Sequence, residues 1–295
     1  MAFTGIDSVV TSITGGKSLF MGFNRTIDTG ATSVAGRWHS CLTVGGTGGA
    51  MTLTGTAGTG IVMSGSTGGR LPVGPDVSTD LKHLVTLLGT TPAATAVPAT
   101  LMLTDILHIY PSCALTGTPS TLSNHPTWTG TGNTRMTAAG GVQCSLLVTT
   151  ATSAGNGQIT PTYFDQDGNS TAAPSSLYAV STTHPTGCFY ASANAAVTLG
   201  SPFMSLAAGD YGVQRVVSYV VNTGATSGVG CFILHRPIAT IPLAAVNTPS
   251  ERSFISDPFT LPRVYDDSCL GLMINVGGAL TASQTLAGTF GVAWG

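Results

Sequence analysis

The sequence predicts a mainly β protein: a jelly-roll-like β-sandwich over residues 99–295, preceded by a Gly/Thr-rich N-terminal arm or small domain, residues 1–98, carrying two short helices. Three observations predict it. Val142, Cys144, Leu146 and Val148 fall at every second position, and a period of two places them on one face of a strand. The chain holds 39 glycines among abundant Thr, Ser and Val, a mixture in which Thr and Val favour strands and Gly punctuates them. Apolar runs of strand length, bounded by turn residues, recur through the second half of the chain.

Taken in order, Ile6, Val9, Val10 and Ile13 sit at i, i+3, i+4 and i+7, one face of a short helix with Thr4 as its cap and Gly15-Gly16 as its stop. Such a helix either docks on a neighbouring subunit or packs on its own domain. Residues 30–75 are dominated by Gly and Thr, with short strands expected near Leu53 and Ile61–Met63 and Trp38 as the large apolar anchor. Over 78–89 the spacing predicts a second helix, with Ser78 as cap, Leu81, Leu84, Val85 and Leu88 as stripe and Gly89 as stop. The Pro/Ala segment 91–100 reads as a linker and as the domain boundary.

Leu101, Leu103, Ile109 and Tyr110 line an expected strand that Pro111 ends. A hairpin is expected over Val142–Asn169, its arms joined by Ala151–Gly157. Asp167-Gly168 then reverses the chain, and Pro161 marks an edge or a bulge. Val213–Val221 and Gly230–Leu234 read as a second hairpin through Asn222–Gly228, ended by Arg236-Pro237. Shorter strands are expected at Gly187–Tyr190 and Phe203–Leu206, extended chain over Phe254–Pro262, and a buried strand over Leu270–Val276. Phe290, Val292 and Trp294 share one face of a last strand.

Composition narrows the function. Charged residues are 7% of the 295, against about 25% in an ordinary soluble domain. With a net charge of −2 a free monomer has little electrostatic protection against association. Two kinds of protein tolerate that: a secreted β protein with a hydroxyl-rich surface, and a subunit of a permanent assembly. The ten Lys and Arg residues are scattered from Lys17 to Arg263 without a stripe, which disfavours nucleic acid as a partner. No stretch approaches the ~20 apolar residues of a membrane helix, and MAFTGIDSVV has no secretory pattern. Cys41, Cys113, Cys144, Cys188, Cys231 and Cys269 form no CxxC pair and read as small buried hydrophobes.

The sequence assigns no catalytic, cofactor-binding or metal-binding residue. Gly16-Lys17-Ser18 lacks the earlier glycine of a phosphate-binding loop, Thr11 standing in its place, and reads as a helix stop. Asp165, Asp167 and Asn169 open like a calcium loop, but Gly168 is fourth and Ser176 stands at the twelfth position, so a turn is the better reading. Asp266-Asp267 reads as a solvated acidic turn. Asp105 and His108, three apart in an apolar run, read as a local polar pair rather than an acid and base. Glu251 is the single Glu, so paired-Glu chemistry is closed to this chain.

Several segments resemble tailed-bacteriophage virion structural proteins: GRWHS around Trp38, LMLTDILHIYP (101–111), YFDQDG (163–168), YGVQRVVSYVVNTG (211–224), HRPIATIPL (235–243), LPRVYDDSCLGLMI (261–274) and the terminal TFGVAWG. The resemblance implies a capsid decoration or cement protein that binds the major capsid protein, associates with itself as a trimer or similar homo-oligomer, and belongs to the virion surface after synthesis in the host cytoplasm. It implies no enzyme, no cofactor and no nucleic-acid or membrane partner. A tail or fibre adhesin is the alternative, with Trp38, Trp128 and Tyr163 as glycan-stacking platforms. A hydrolase would need Asp105, His108 and Asp210 to converge.

Overall fold

The computed structural model describes residues 3–28, 34–77, 79–91, 96–117, 120–128, 134–136, 138–153, 157–178, 184–192, 200–223, 227–256, 261–280 and 284–295. In chain order the elements are α1 (Ile6–Thr14), β1 (Ser18–Thr26), β2 (Arg37–Ser40), β3 (Ile61–Val62), β4 (Lys82–Thr90), β5 (Ala99–Ala114), β6 (Ser120–Thr121) and β7 (Gln143–Ser153). There follow β8 (Gln158–Asp165), β9 (Ser170–Ala172), β10 (Leu177–Tyr178), β11 (Val213–Thr223), β12 (Ser227–Leu243), β13 (Ser250–Ser253), β14 (Leu270–Val276) and β15 (Thr285–Trp294). The protein is mainly β.

The strands form three sheets. A central sheet runs β2-β14-β5-β12-β7, with β3 also on β5. A second runs β10-β8-β11-β6, with β9 on β8, and a third runs β1-β15-β4-β13. The central strands β5 and β12 serve both other sheets. Leu101 and Leu103 join Ile241 and Leu243 in a core with Leu84, Leu87, Phe290 and Val292 of the third sheet. Leu107, Tyr110, Phe232 and Leu234 join a core with Ile159, Tyr163, Val216 and Tyr219 of the second. Met102, Ile106 and Ile109 point instead to a further cluster with Leu42, Met51, Leu53 and Met63, the alternation that a strand buried on both faces requires. Strands before residue 98 pair with strands after it, β1 and β4 with β15 and β2 with β14, so residue 98 does not separate one sheet from another.

Helix α1 forms where its stripe predicts, with a different cap. Ser8 Oγ accepts the N–H groups of Thr4 and Gly5 and donates to Gly5 O. At the other end Gly16 N–H reaches Ile13 O, Lys17 N–H reaches Ser12 O, and Gly16 has φ +78°. That is a Schellman stop, and the left-handed position explains its glycine. Val9 packs on Val85 and Ala293, so the helix lies on its own sheet.

The expected second helix is strand β4, paired with β15 and β13. Its helix-like spacing has a cause. Val292 lies opposite Leu84 and Gly291 opposite Thr86, leaving Val85 as a bulge residue. The bulge brings Leu84 and Leu87, three apart, opposite Val292 and Phe290 and so onto one face. Ser78, the expected cap, lies outside the described residues.

Neither expected hairpin is one. β7 pairs β12 whereas β8 pairs β11, β9 and β10, so the link after β7 crosses between sheets. The same holds for β11, bound to β8 and β6, and β12, bound to β5 and β7. The middles of both links, 154–156 and 224–226, lie outside the described residues, as does 92–95 of the expected linker. Alternating apolar residues specify a face, and each of these segments faces the same core from opposite sheets. The Asp-Gly turn does form, joining β8 to β9, with Gly168 at φ +88°.

Two prolines expected to end strands sit at irregularities inside longer ones. β5 continues past Pro111, where its register with β12 slips between Tyr110 and Cys113, and Ser112 adopts φ +55°. β12 continues past Pro237, where the register slips again before Ala239. A proline cannot donate to a ladder, and a bulge removes the demand. Pro161 lies within β8, at the gap between its pairings with β9 and β10. The segments at Cys188–Phe189 and Phe203 make isolated bridges only, and 257–260 lies outside the described residues.

Candidate functional site

Buried cations that the sequence did not single out, Arg135, Lys82 and Arg25, hold loops to the sheets. Arg135 is fully buried. Its Nη1 donates to Asp105 Oδ1 at 2.7 Å, its Nη2 to Met63 O, and its Nε lies 3.3 Å from Asp267 Oδ2. Asp105, on β5, also accepts Ser268 Oγ at 3.1 Å and Cys269 N–H at 2.8 Å. Burial pushes the Asp105 carboxyl up, and the Arg135 charge opposes that. Three separate loop segments are thereby tied to one central strand.

Lys82 follows the same rule. Its ammonium is buried, donates to Val73 O at 2.8 Å and Pro75 O at 2.7 Å, and pairs with Asp266 Oδ1 at 2.7 Å. A Lys has three donors, and all three have oxygens. Asp266-Asp267 is therefore not a merely solvated turn: each carboxylate faces a buried cation.

A third knot gathers the glycine-rich segment. Arg25, buried on β1, donates to Gly49 O and Gly69 O. Asp28 Oδ2 accepts Ser40 Oγ, Thr43 N–H at 2.9 Å, Thr43 Oγ1 at 2.8 Å and Leu42 N–H at 3.2 Å. Burial raises the Asp28 carboxyl, and these donors act against it. Gly69 stands at φ +82°, with Met51 N and Ala50 C where a Cβ would go, so no side chain fits there.

One arrangement has the outline of a nucleophile and base. Ser145 Oγ lies 2.9 Å from His235 Nε2, and His235 Nδ1 lies 2.7 Å from Thr104 Oγ1. Thr104 Oγ1 donates to Arg236 O at 3.0 Å. Its oxygen is therefore an acceptor for Nδ1–H, leaving Nε2 to accept from Ser145. All three residues are buried, Phe203 lies 5.6 Å from the imidazole, and burial pulls the His235 pKa down to about 3. A pair without access to solvent has no substrate to meet. No sequence motif joins Ser145 to His235; only the β7–β12 register does.

The residues singled out in the sequence are dispersed. Asp105 belongs to the Arg135 clamp, His108 stacks edge-on against Tyr110 at 4.8 Å, and Asp210 accepts Tyr163 Oη at 2.5 Å on the second sheet. The three do not converge. Of the stacking candidates, Tyr163 is buried and Trp128 is half-buried with Nε1 on Gln214 O at 2.7 Å. Trp38 is half-buried against the cluster around Met51. None of the three is fully exposed. Asp165 Oδ1 accepts the N–H groups of Asp167 and Asn169 at 2.8 Å and its Oδ2 accepts Asn169 Nδ2 at 3.0 Å. These bonds hold its carboxyl below the usual range and make the segment a self-satisfied turn. All six cysteines are free and buried.

The surface offers shallow cavities and uncovered apolar side chains. A cavity of about 380 Å³ lies over Thr47, Gly48 and the segment 65–70. One of about 330 Å³ lies between Arg236, Pro237, Arg263 and Tyr265. Among the described residues, Ile6, Val10, Leu19 and Phe20 are exposed on α1 and β1, and Ile61 and Val62 on β3.

No family model matches the chain, and no curated protein matches it. Among solved structures it aligns with the Gt strain of infectious bursal disease virus at 8% identity and a TM-score of 0.20, over 94% of this chain and 81% of that one. T=1 particles derived from the same virus align at 8% identity and 0.20, over 94% and 77%. Superpositions of that quality relate neither fold nor function.

Proposed function

We propose that the chain is a non-enzymatic virion structural protein of the capsid decoration or cement type, with the major capsid protein and further copies of itself as partners. The observation that carries this reading is the placing of its uncovered apolar residues. On a chain with 7% charged residues, Leu19, Phe20, Ile61 and Val62 are exposed on strands at the limits of their sheets and Ile6 and Val10 on α1, with Val44, Tyr211 and Val220 uncovered elsewhere. A free monomer protects such edges with charge, and an assembled subunit covers them. The buried clamps support the same reading, because Asp105, Arg135, Lys82, Asp266, Asp28 and Arg25 spend their polar groups on holding loops. A rigid, sparsely charged surface suits the accumulation of many modest contacts, at about 25 cal/mol per Å² of apolar area.

In this proposal the sandwich over 99–295 is of the jelly-roll type, the site of action is the particle surface of a bacteriophage, and the subunits associate as a closed homo-oligomer. Mass spectrometry of purified particles tests it. The chain is expected at many copies per particle; its absence from particles that contain the other coat proteins overturns the reading.

A further inference from the structure

Strand β1 ends its sheet and pairs only with β15, without a register slip over Ser18–Thr26. In an antiparallel ladder alternate residues turn their N–H and C=O toward the partner strand. Lys17 O accepts Trp294 N–H, so the odd-numbered residues face β15. The even ones face outward. Asn24 N–H donates to Thr47 Oγ1 at 2.9 Å, Asn24 O accepts Thr47 N–H at 2.7 Å, and Thr26 N–H donates to Gly45 O at 3.3 Å. The outward groups of Ser18, Phe20 and Gly22 meet nothing among the described residues.

The open stretch, 18–22, reads SLFMG. It has no charge, no proline and no bulge, the three devices by which edges are kept apart. The opposite edge of the same sheet, β13, carries Glu251 and Arg252, both exposed. Phe20, at the centre of the open stretch, is 64% exposed.

We infer that β1 is a self-association edge, pairing antiparallel with β1 of a second copy about a two-fold axis at Phe20. The occupant follows from the length and symmetry of the opening. Its three outward residues are bounded by the loop Gly45–Thr47 on one side and by the turn at Lys17 on the other. A two-fold at Phe20 sets Ser18 opposite Gly22 of the second copy, Phe20 opposite Phe20, and Gly22 opposite Ser18. Each pair exchanges two N–H···O bonds, and no outward group of the stretch is left over. The two Phe20 side chains, whose rings lie over Gly291 of their own sheets, stand opposite each other on one face of the joined sheet, an aromatic cross-strand pair. Lys17 falls opposite Phe23 of the second copy, so no like charges oppose. The two third sheets become one continuous sheet.

This contact deepens the structural-subunit reading and rests on it for its place in a particle, but the pairing itself is tested on the isolated chain. Analytical ultracentrifugation of the full chain is expected to show a dimer. F20K and G22P should each weaken association at least tenfold while leaving the far-UV circular dichroism unchanged. Gly22 sits where a proline loses only the outward N–H. In parallel, F20C is expected to oxidise to a disulfide dimer, because Cα atoms in a hydrogen-bonded antiparallel pair lie ~5.5 Å apart, within disulfide reach. L19C is the control that stays monomeric on oxidation, and the six native thiols are buried. A chain that remains monomeric, a dimer indifferent to F20K and G22P, or F20C that stays monomeric on oxidation overturns the inference. If the chain dimerises in this way yet is absent from particles, the virion reading fails and the edge pairing stands. If it is in particles but monomeric when free, the edge pairing fails alone.

Discussion

Lowering the pH from 7 to 5 should remove a large share of the stability of this protein. Four histidines are buried with their pKa values pulled far below 6.5, His39 and His108 to about 4 and His184 and His235 to about 3, in each case chiefly by loss of hydration. The unfolded chain binds four protons that the native chain refuses. Their contribution is present above pH 6.5 and is lost as pH falls toward the folded values. By linkage each histidine forfeits about 1.8 kcal/mol between pH 7 and pH 5, and the four together about 7 kcal/mol. A typical domain has about 5–15 kcal/mol to lose. Asp28 and Asp105, whose carboxyls are raised by burial, act in the opposite sense and soften the fall. Urea unfolding followed by tryptophan fluorescence at pH 7, 6 and 5 measures it. The midpoint should drop steeply at each step; a midpoint unchanged, or higher, at pH 5 would refute the burial of neutral imidazoles.

Three substitutions probe the framework. Arg135→Met removes the cation beside Asp105 and should cost about 3–5 kcal/mol at pH 7. Urea unfolding at pH 7 measures it, and a midpoint equal to that of the natural chain would show that the clamp is unimportant. Leu87→Ala should cost about 2–5 kcal/mol in the same assay, because Leu87 faces Phe290 in the core. Leu88→Ala, half-buried on the other face, should cost visibly less, whereas a helix over 78–89 would weight Leu88 as heavily as Leu84. Gly69→Ala should cost about 1–3 kcal/mol or more, from the left-handed backbone and the clash with Met51 N; a melting temperature equal to that of the natural chain would contradict it.

Faces were legible in the sequence and partners were not. Val142, Cys144, Leu146 and Val148 are buried together on β7 as their alternation says, and so are Phe290 and Val292 on β15. Alternation, however, is blind to which strand lies alongside. That is why β7 and β8, or β11 and β12, read as hairpins although they cross between sheets. The β4 bulge mimicked a helical stripe, because an inserted Val85 turns a spacing of two into one of three. Prolines at Pro111 and Pro237 read as strand ends because bulges leave no local signal. The clamps were invisible for a different reason: Asp105 and Arg135 are 30 residues apart, and Lys82 and Asp266 far more. Scarcity was the one available hint. In a chain with ten Lys and Arg, Arg25, Lys82 and Arg135 are buried and each holds at least two oxygens.

A density map of the intact particle tests the central claim most directly. Repeating copies of the three-sheet subunit are expected on the capsid, with β1 and the Ile61–Val62 edge covered by neighbouring chains. Particles whose density holds no such subunit, or holds it with β1, Ile61 and Val62 facing open solvent, would contradict it.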